Sequence, residues 1–146
     1  MAVKPIPAGH HSVTPYLVVR EVAKLIDFVK QAFGAVEVHR MSRPDGSLGH
    51  AEVKVGDSMI MMGEAMGEWQ PMPAALYLYV EDADAVYRRA LAAGATSISE
   101  PANQFYGDRN AGVKDPCDNL WWIATRFEDL STEEIARRAS QAAAKH

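Results

Sequence analysis

The chain has 146 residues, 48% of them hydrophobic and 23% charged, with a formal net charge of −4 at neutral pH. That length buries one core without disulfide or metal staples, and an acidic balance without clustered Lys and Arg excludes nucleic acid as a partner. No apolar run approaches the ~20 residues of a membrane span, and the Pro-rich start from Met1 to His10 lacks a signal core. A cytoplasmic protein is therefore expected, a compartment that suits the single Cys117.

Residues 1–11 read as an arm, in which the adjacent His10 and His11 are expected to be disordered rather than ligating. Val13 to Val19 is β-rich. After it, Val22, Leu25, Ile26, Val29, Ala32 and Phe33 recur at three- and four-residue spacings, which predicts an amphipathic helix closed by Gly34 in the left-handed region. A strand over residues 35–41, a turn at Arg43-Pro44-Asp45-Gly46, an alternating strand from Leu48 to Val55 and another from Ser58 to Gly63 complete the first half. Glu64 to Pro73 holds one glycine and two prolines and reads as a linker.

The pattern then returns. Tyr77-Leu78-Tyr79-Val80 answers Tyr16-Leu17-Val18-Val19 at a spacing of 61, and Asp57 to Met62 lies on Asp118 to Ile123 at the same spacing. Asp82 is an N-cap for a second helix through Leu91, closed by Gly94. Strands are predicted over residues 95–99, 109–114 and 119–125, the last two joined by an Asp115-Pro116 turn, because Pro lacks an N–H and interrupts the ladder. Neighbouring strand side chains point to opposite faces, so Trp121 and Trp122 must differ: one packs under a helix, the other faces what the sheet encloses. Ser131-Thr132-Glu133-Glu134 is a capping box for a short final helix.

The fold class is α+β: two repeated strand-helix-three-strand modules, residues 12–67 and 74–127, form a half-open barrel, and residues 128–146 add a C-terminal helical tail. A doubled chain of this kind, with Gly after each first helix and Asp-Pro before the last strand, resembles the vicinal oxygen chelate superfamily of glyoxalases, bleomycin-resistance proteins and extradiol dioxygenases. Tyr106-Gly107-Asp108-Arg109, Asp115-Pro116 and Trp122-Ile123-Ala124-Thr125 with Glu128-Asp129 resemble its PhnB-like branch. The family commonly has Gly where Asp118 stands, and Asp tolerates the left-handed region well enough to keep the turn.

The resemblance implies metal ligands on the first and last strand of each module, which here fall on Thr14, Met61, Ala75 and Trp122. That is no ligand set for a divalent metal, so no metal and no cofactor is expected. The same register lines a cavity with Thr14, Tyr16, Met59, Met61, Tyr77, Tyr79 and Trp122, and Arg109 and Asn110 join them as candidate ligand-binding residues. Asp108 and Arg109 form a candidate anchor for a carboxylate, although a surface ion pair is the plainer reading.

In Leu48 to Val55 the polar set His50, Glu52 and Lys54 alternates with Ala51, Val53 and Val55. His50 and Glu52 are the only pair shaped for acid and base work, against the plainer reading of a structural histidine. The leading expectation is a homodimeric, metal-free binder of a small, partly aromatic molecule in a Met, Tyr and Trp cavity. The alternative is a glyoxalase-type lyase or isomerase using His50 and Glu52, with or without a divalent metal.

Overall fold

The computed structural model describes residues 2–144; Met1 at the start of the arm and Lys145 and His146 at the end of the tail lie outside it. Eight strands and three helices follow the order β1 (Tyr16–Val19), α1 (Val22–Phe33), β2 (Val36–Ser42), β3 (Leu48–Val55), β4 (Ser58–Glu64), β5 (Ala75–Tyr79), α2 (Ala83–Ala92), β6 (Thr96–Asn103), β7 (Asp108–Lys114), β8 (Leu120–Arg126) and α3 (Thr132–Ala144). They build two four-stranded sheets, β1-β4-β3-β2 and β5-β8-β7-β6, with the first strand of each parallel to its neighbour and the rest antiparallel. The sequence repeat is thus a topological repeat. Neither sheet closes on itself.

The apolar stripe of α1 is buried against its sheet, where Ala51, Val53, Val55, Ile60 and Met62 form the facing row. Glu21 enters the helix in the left-handed region, φ 62°, without capping its own turn. Instead Glu64 of β4 accepts from the N–H groups of Glu21 (2.6 Å) and Val22 (3.0 Å), a carboxylate at the positive end of the helix. In α2 the Asp82 side chain accepts from Ala85 N at 3.1 Å, the predicted N-cap. Gly34 takes the left-handed C-cap, and Asp118 adopts φ 70°, as the Asp115-Pro116 turn requires.

Two elements differ from expectation. The first strand begins at Tyr16 rather than Val13, which stays exposed: Pro15 has no N–H to donate, and pairing starts with its carbonyl, which accepts from Met61 N at 2.9 Å. The strand expected over residues 95–99 runs on to Asn103 through Pro101, because β6 is an edge strand and its pairing with β7 is irregular there. The linker also has structure, since Met72 N donates to Val18 O at 2.9 Å and so covers part of the free edge of β1.

One contiguous core spans both modules. Its joint is aromatic. Phe33, the last residue of α1, meets the buried Trp121 of the second sheet with ring centroids 4.7 Å apart, and Phe28 meets Phe33 edge-on at 5.5 Å. Trp121 therefore packs under the helix of the other module. Among the described residues no helix is long and apolar enough to cross a membrane.

Candidate functional site

With Trp121 committed to the core, alternation turns Trp122 to the face of the second sheet away from the helices. It lies in the row Tyr77, Trp122, Gly112, Ser99. Gly112 is a steric requirement there: a Cβ at this position would stand 2.8 Å from Cζ3 of Trp122, so the indole rests directly on the β7 backbone. Polar groups gather round this platform. Asn110 Nδ2 donates to the hydroxyls of Tyr77 (3.0 Å) and Tyr106 (2.7 Å), while Gln104 Nε2 donates to Asn110 Oδ1 at 3.2 Å. Tyr77, Ser99, Gln104, Tyr106, Asn110 and Trp122 wall a cup of about 320 Å³.

Beneath the cup lies a buried carboxylate. Asp108 Oδ2 accepts from the hydroxyls of Tyr77 (2.7 Å) and Tyr79 (2.9 Å), and Arg126 Nε stands 3.5 Å from Oδ1. Burial pushes the Tyr77 phenol well above its ordinary range, and the bonds to Asp108 and Tyr106 add to this against the opposing effect of Asn110. Tyr77 thus acts here as a hydroxyl that donates to Asp108. Beside the cup, a cleft of about 840 Å³ runs between β1 and β5, lined by Tyr16, Leu76, Tyr77 and Trp121 among others, with few polar side chains.

The first sheet carries an equivalent arrangement. Ala51 pairs with Met62 as Ala111 pairs with Ile123, so His50 stands where Asn110 stands and Tyr16 where Tyr77 stands. His50 Nδ1 lies 3.5 Å from Tyr16 Oη, a longer version of the Asn110–Tyr77 contact. Glu52, in the place of Gly112, is approached from both sides. His10 Nε2 lies 2.8 Å from Oε1 and His50 Nε2 3.4 Å from Oε2. Burial pushes the Glu52 carboxyl up, but the bonds and charges of His10 and His50 together outweigh this and hold it below the usual carboxylate range.

Tyr16, Met59, Met61, His50 and Glu52 thus share one face of the first sheet, and Tyr77, Tyr79, Asn110 and Trp122 the corresponding face of the second. Three expectations need correction. Arg109 does not join this face: as the neighbour of Asp108 on a strand it points the other way, where Asp84 of α2 holds it through Nε (2.7 Å) and Nη2 (3.0 Å). Thr14 lies ahead of β1 and bonds weakly to His11 O at 3.5 Å. His10, expected to be disordered, is anchored instead. Its signal was absent from local sequence because its partner lies 42 residues away. Tyr106 and Gln104 were missed for a similar reason, since the turn before β7 gives no periodicity to read. The positions at which the resemblance implies metal ligands do not fit a metal: Ala75 has no donor, and the Trp122 indole is laid on Gly112. Among the described residues no three His, Cys, Asp or Glu side chains are placed to share an ion.

Paired strand-helix-three-strand modules presenting two equivalent sheet faces define a glyoxalase-type architecture. Residues 9–123 match the model of the Glyoxalase/Bleomycin resistance protein/Dioxygenase superfamily, and the chain belongs to that family. It is 33% identical to the uncharacterized protein Rv0887c of Mycobacterium tuberculosis, over 92% of this chain and 84% of that one. Among solved structures it is similar to TioX from Micromonospora sp. ML1, with TM-score 0.69 and 20% identity, covering 80% of this chain and 99% of that one. It is also similar to the fosfomycin resistance protein FosX from Listeria monocytogenes, determined with Mn(II) and sulfate, with TM-score 0.64 and 16% identity over 88% and 97% of the two chains.

Proposed function

We propose that this chain is a metal-free binding member of the superfamily, of the PhnB-like branch, which holds a small, partly aromatic molecule against Trp122. The observation that carries the reading is the indole seated on Gly112 inside a ring of hydrogen-bonding groups. A flat apolar floor with a few fixed polar groups is the usual composition of a small-molecule pocket. Tyr77 and Asn110 are already oriented by Asp108, Tyr106 and Gln104, so little is lost in ordering them on binding. The working unit is a homodimer: Tyr16, Tyr77 and Tyr79 leave large exposed aromatic areas on the two sheet faces, and a second copy covers them.

Planar neutral or cationic probes should quench tryptophan fluorescence, and Trp122→Phe should remove the quenching while Trp69→Phe retains it. Quenching that survives Trp122→Phe would overturn the assignment of the cup. Light scattering tests the dimer, and a mass equal to the 16.0 kDa chain at micromolar concentration would exclude it.

The second reading is a lyase or isomerase in which His50, oriented by Glu52 at 3.4 Å, moves a proton at Nε2 or Nδ1. Loss of turnover in both His50→Ala and Glu52→Gln, with Trp122→Phe active, would favour it.

A further inference from the structure

We infer that the Tyr16–His50–Glu52 cluster on the first sheet is a second ligand site, for an amine or nitrogen heterocycle that donates N–H to Glu52, and that His10 is its built-in competitor. This site is separate from the Trp122 cup, and binding there makes and breaks no covalent bond.

The two sheet faces differ at corresponding places. Where the second sheet has Gly112 under a flat indole, the first has the Glu52 carboxylate beside the flexible Met61. A planar platform is thus replaced by a charged acceptor and an adaptable thioether, which changes the selection from ring shape to N–H donation. Glu52 is largely buried, and His50 Nε2 steadies its second oxygen at 3.4 Å. That leaves its first oxygen as the acceptor for a second donor.

That oxygen is already engaged by a heterocyclic N–H of the chain itself. His10 Nε2 lies 2.8 Å away, its side chain only 12% exposed. Residues 2–9 and 11–13 are all exposed, so His10 is the sole member of this segment with a covered side chain. Its hold is incomplete, because His10 Nδ1 is buried without a hydrogen-bond partner. An unmade bond of this kind penalises the docked arm, and a free ligand that keeps its remaining polar atoms in water escapes the penalty. A single side chain on an exposed tether, satisfied on one nitrogen, is a displaceable occupant rather than a structural fastening.

The test uses the full chain with its histidine rings followed by NMR, 4-phenylimidazole as the probe and 4-phenylthiazole, which has no N–H, as the control. Adding the imidazole should move the His10 ring signal to the position of the exposed His11. His10→Ala should bind the imidazole about tenfold more tightly, as expected if the arm holds Glu52 roughly nine-tenths of the time. Glu52→Gln should lose binding in both backgrounds. Equal affinity in wild type and His10→Ala, or equal binding of the thiazole, would overturn the inference. The His10→Ala comparison stands even if Glu52→Gln fails to fold. The signals come from histidines, so a failure here leaves the Trp122 reading untouched, and the reverse also holds.

Discussion

Trp121 Nε1 donates to Asp115 Oδ2 at 2.8 Å, which ties the largest core side chain to the turn that precedes its own strand. Asp115 does more than this. Its Oδ1 accepts from the N–H groups of Cys117 (2.8 Å) and Asn119 (3.0 Å), and its Oδ2 accepts also from Asn119 Nδ2 at 3.0 Å. Asn119 Oδ1 in turn accepts from Ala74 N at 3.0 Å, which secures the entry to β5. One buried carboxylate therefore sets the turn, the β5–β8 junction and the indole that meets Phe33. Asp115→Asn keeps the shape but turns an NH₂ toward groups that donate, so at least one buried donor loses its acceptor. The expected loss is about 2–4 kcal/mol of unfolding free energy by urea titration at neutral pH. A loss under about 1 kcal/mol would show that the network is not what holds the turn.

Gly112→Ala tests the platform. The new Cβ would meet ring carbons of Trp122 at 2.8 and 3.2 Å, and a rigid indole yields only by tilting off the strand. Overpacking of this kind costs about 1–3 kcal/mol, and the tilted ring should bind planar probes about tenfold less well. Gly63→Ala is the matched control on the first sheet, because there the closest atom is the Tyr16 hydroxyl at the far end of its side chain. Quenching titrations of the two variants check the pair. Equal loss in both would mean that the two faces act as one site.

Much of this arrangement was legible in the sequence. A 61-residue spacing placed both modules, and strand parity separated Trp121 from Trp122 and Ala51 and Val53 from His50 and Glu52, because burial on one face of a half-buried strand leaves a period of two. Parity also separates Asp108 from Arg109, and treating the two as one anchor neglected it. The contacts of His10 were not legible. A side chain on an aperiodic arm whose partner is 42 residues distant leaves no local pattern, and neither does a turn residue such as Tyr106. Sequence periodicity reports faces; it does not report what reaches a face from outside the repeat.

Glu52 gives a pH prediction with a definite sign. Its carboxyl is held below its ordinary value of 4.5 in the folded chain, where the bonds from His10 and His50 outweigh burial. A depressed acid contributes stability that is fully present above its unfolded value and is lost as pH falls through the folded one. Wild type should therefore lose its advantage over Glu52→Gln as the pH drops below 4.5. Thermal melts of the two proteins at pH 7, 5 and 3 measure this. A difference that grows toward acid would reverse the sign and refute the assignment.

Arg138 links the tail to the Trp122 cup. From α3 its guanidinium reaches Glu128 (2.9 and 3.1 Å), Glu134 (3.0 Å) and the carbonyl of Phe105 (3.3 Å). The bonds from Arg137, and then that from Arg138, hold the Glu134 carboxyl down to about 2. Phe105 precedes Tyr106, whose hydroxyl accepts from Asn110 inside the cup, and Gly107 O accepts from Phe127 N and Glu128 N on the following strand exit. The turn is thus clamped from the tail and from the exit of β8 together. Arg138→Ala removes the tail's share and leaves the β8 contacts in place, so the fold should persist while Tyr106 loosens. Hydrogen exchange should quicken at residues 104–107 and stay unchanged in β3 and β4, and planar probes should bind several-fold more weakly through a faster off-rate. Arg138→Lys retains the charge but not the planar fork, and should recover only part of the effect. If exchange at residues 104–107 is unaltered in Arg138→Ala, the tail is a passenger and the cup is organised by the two modules alone.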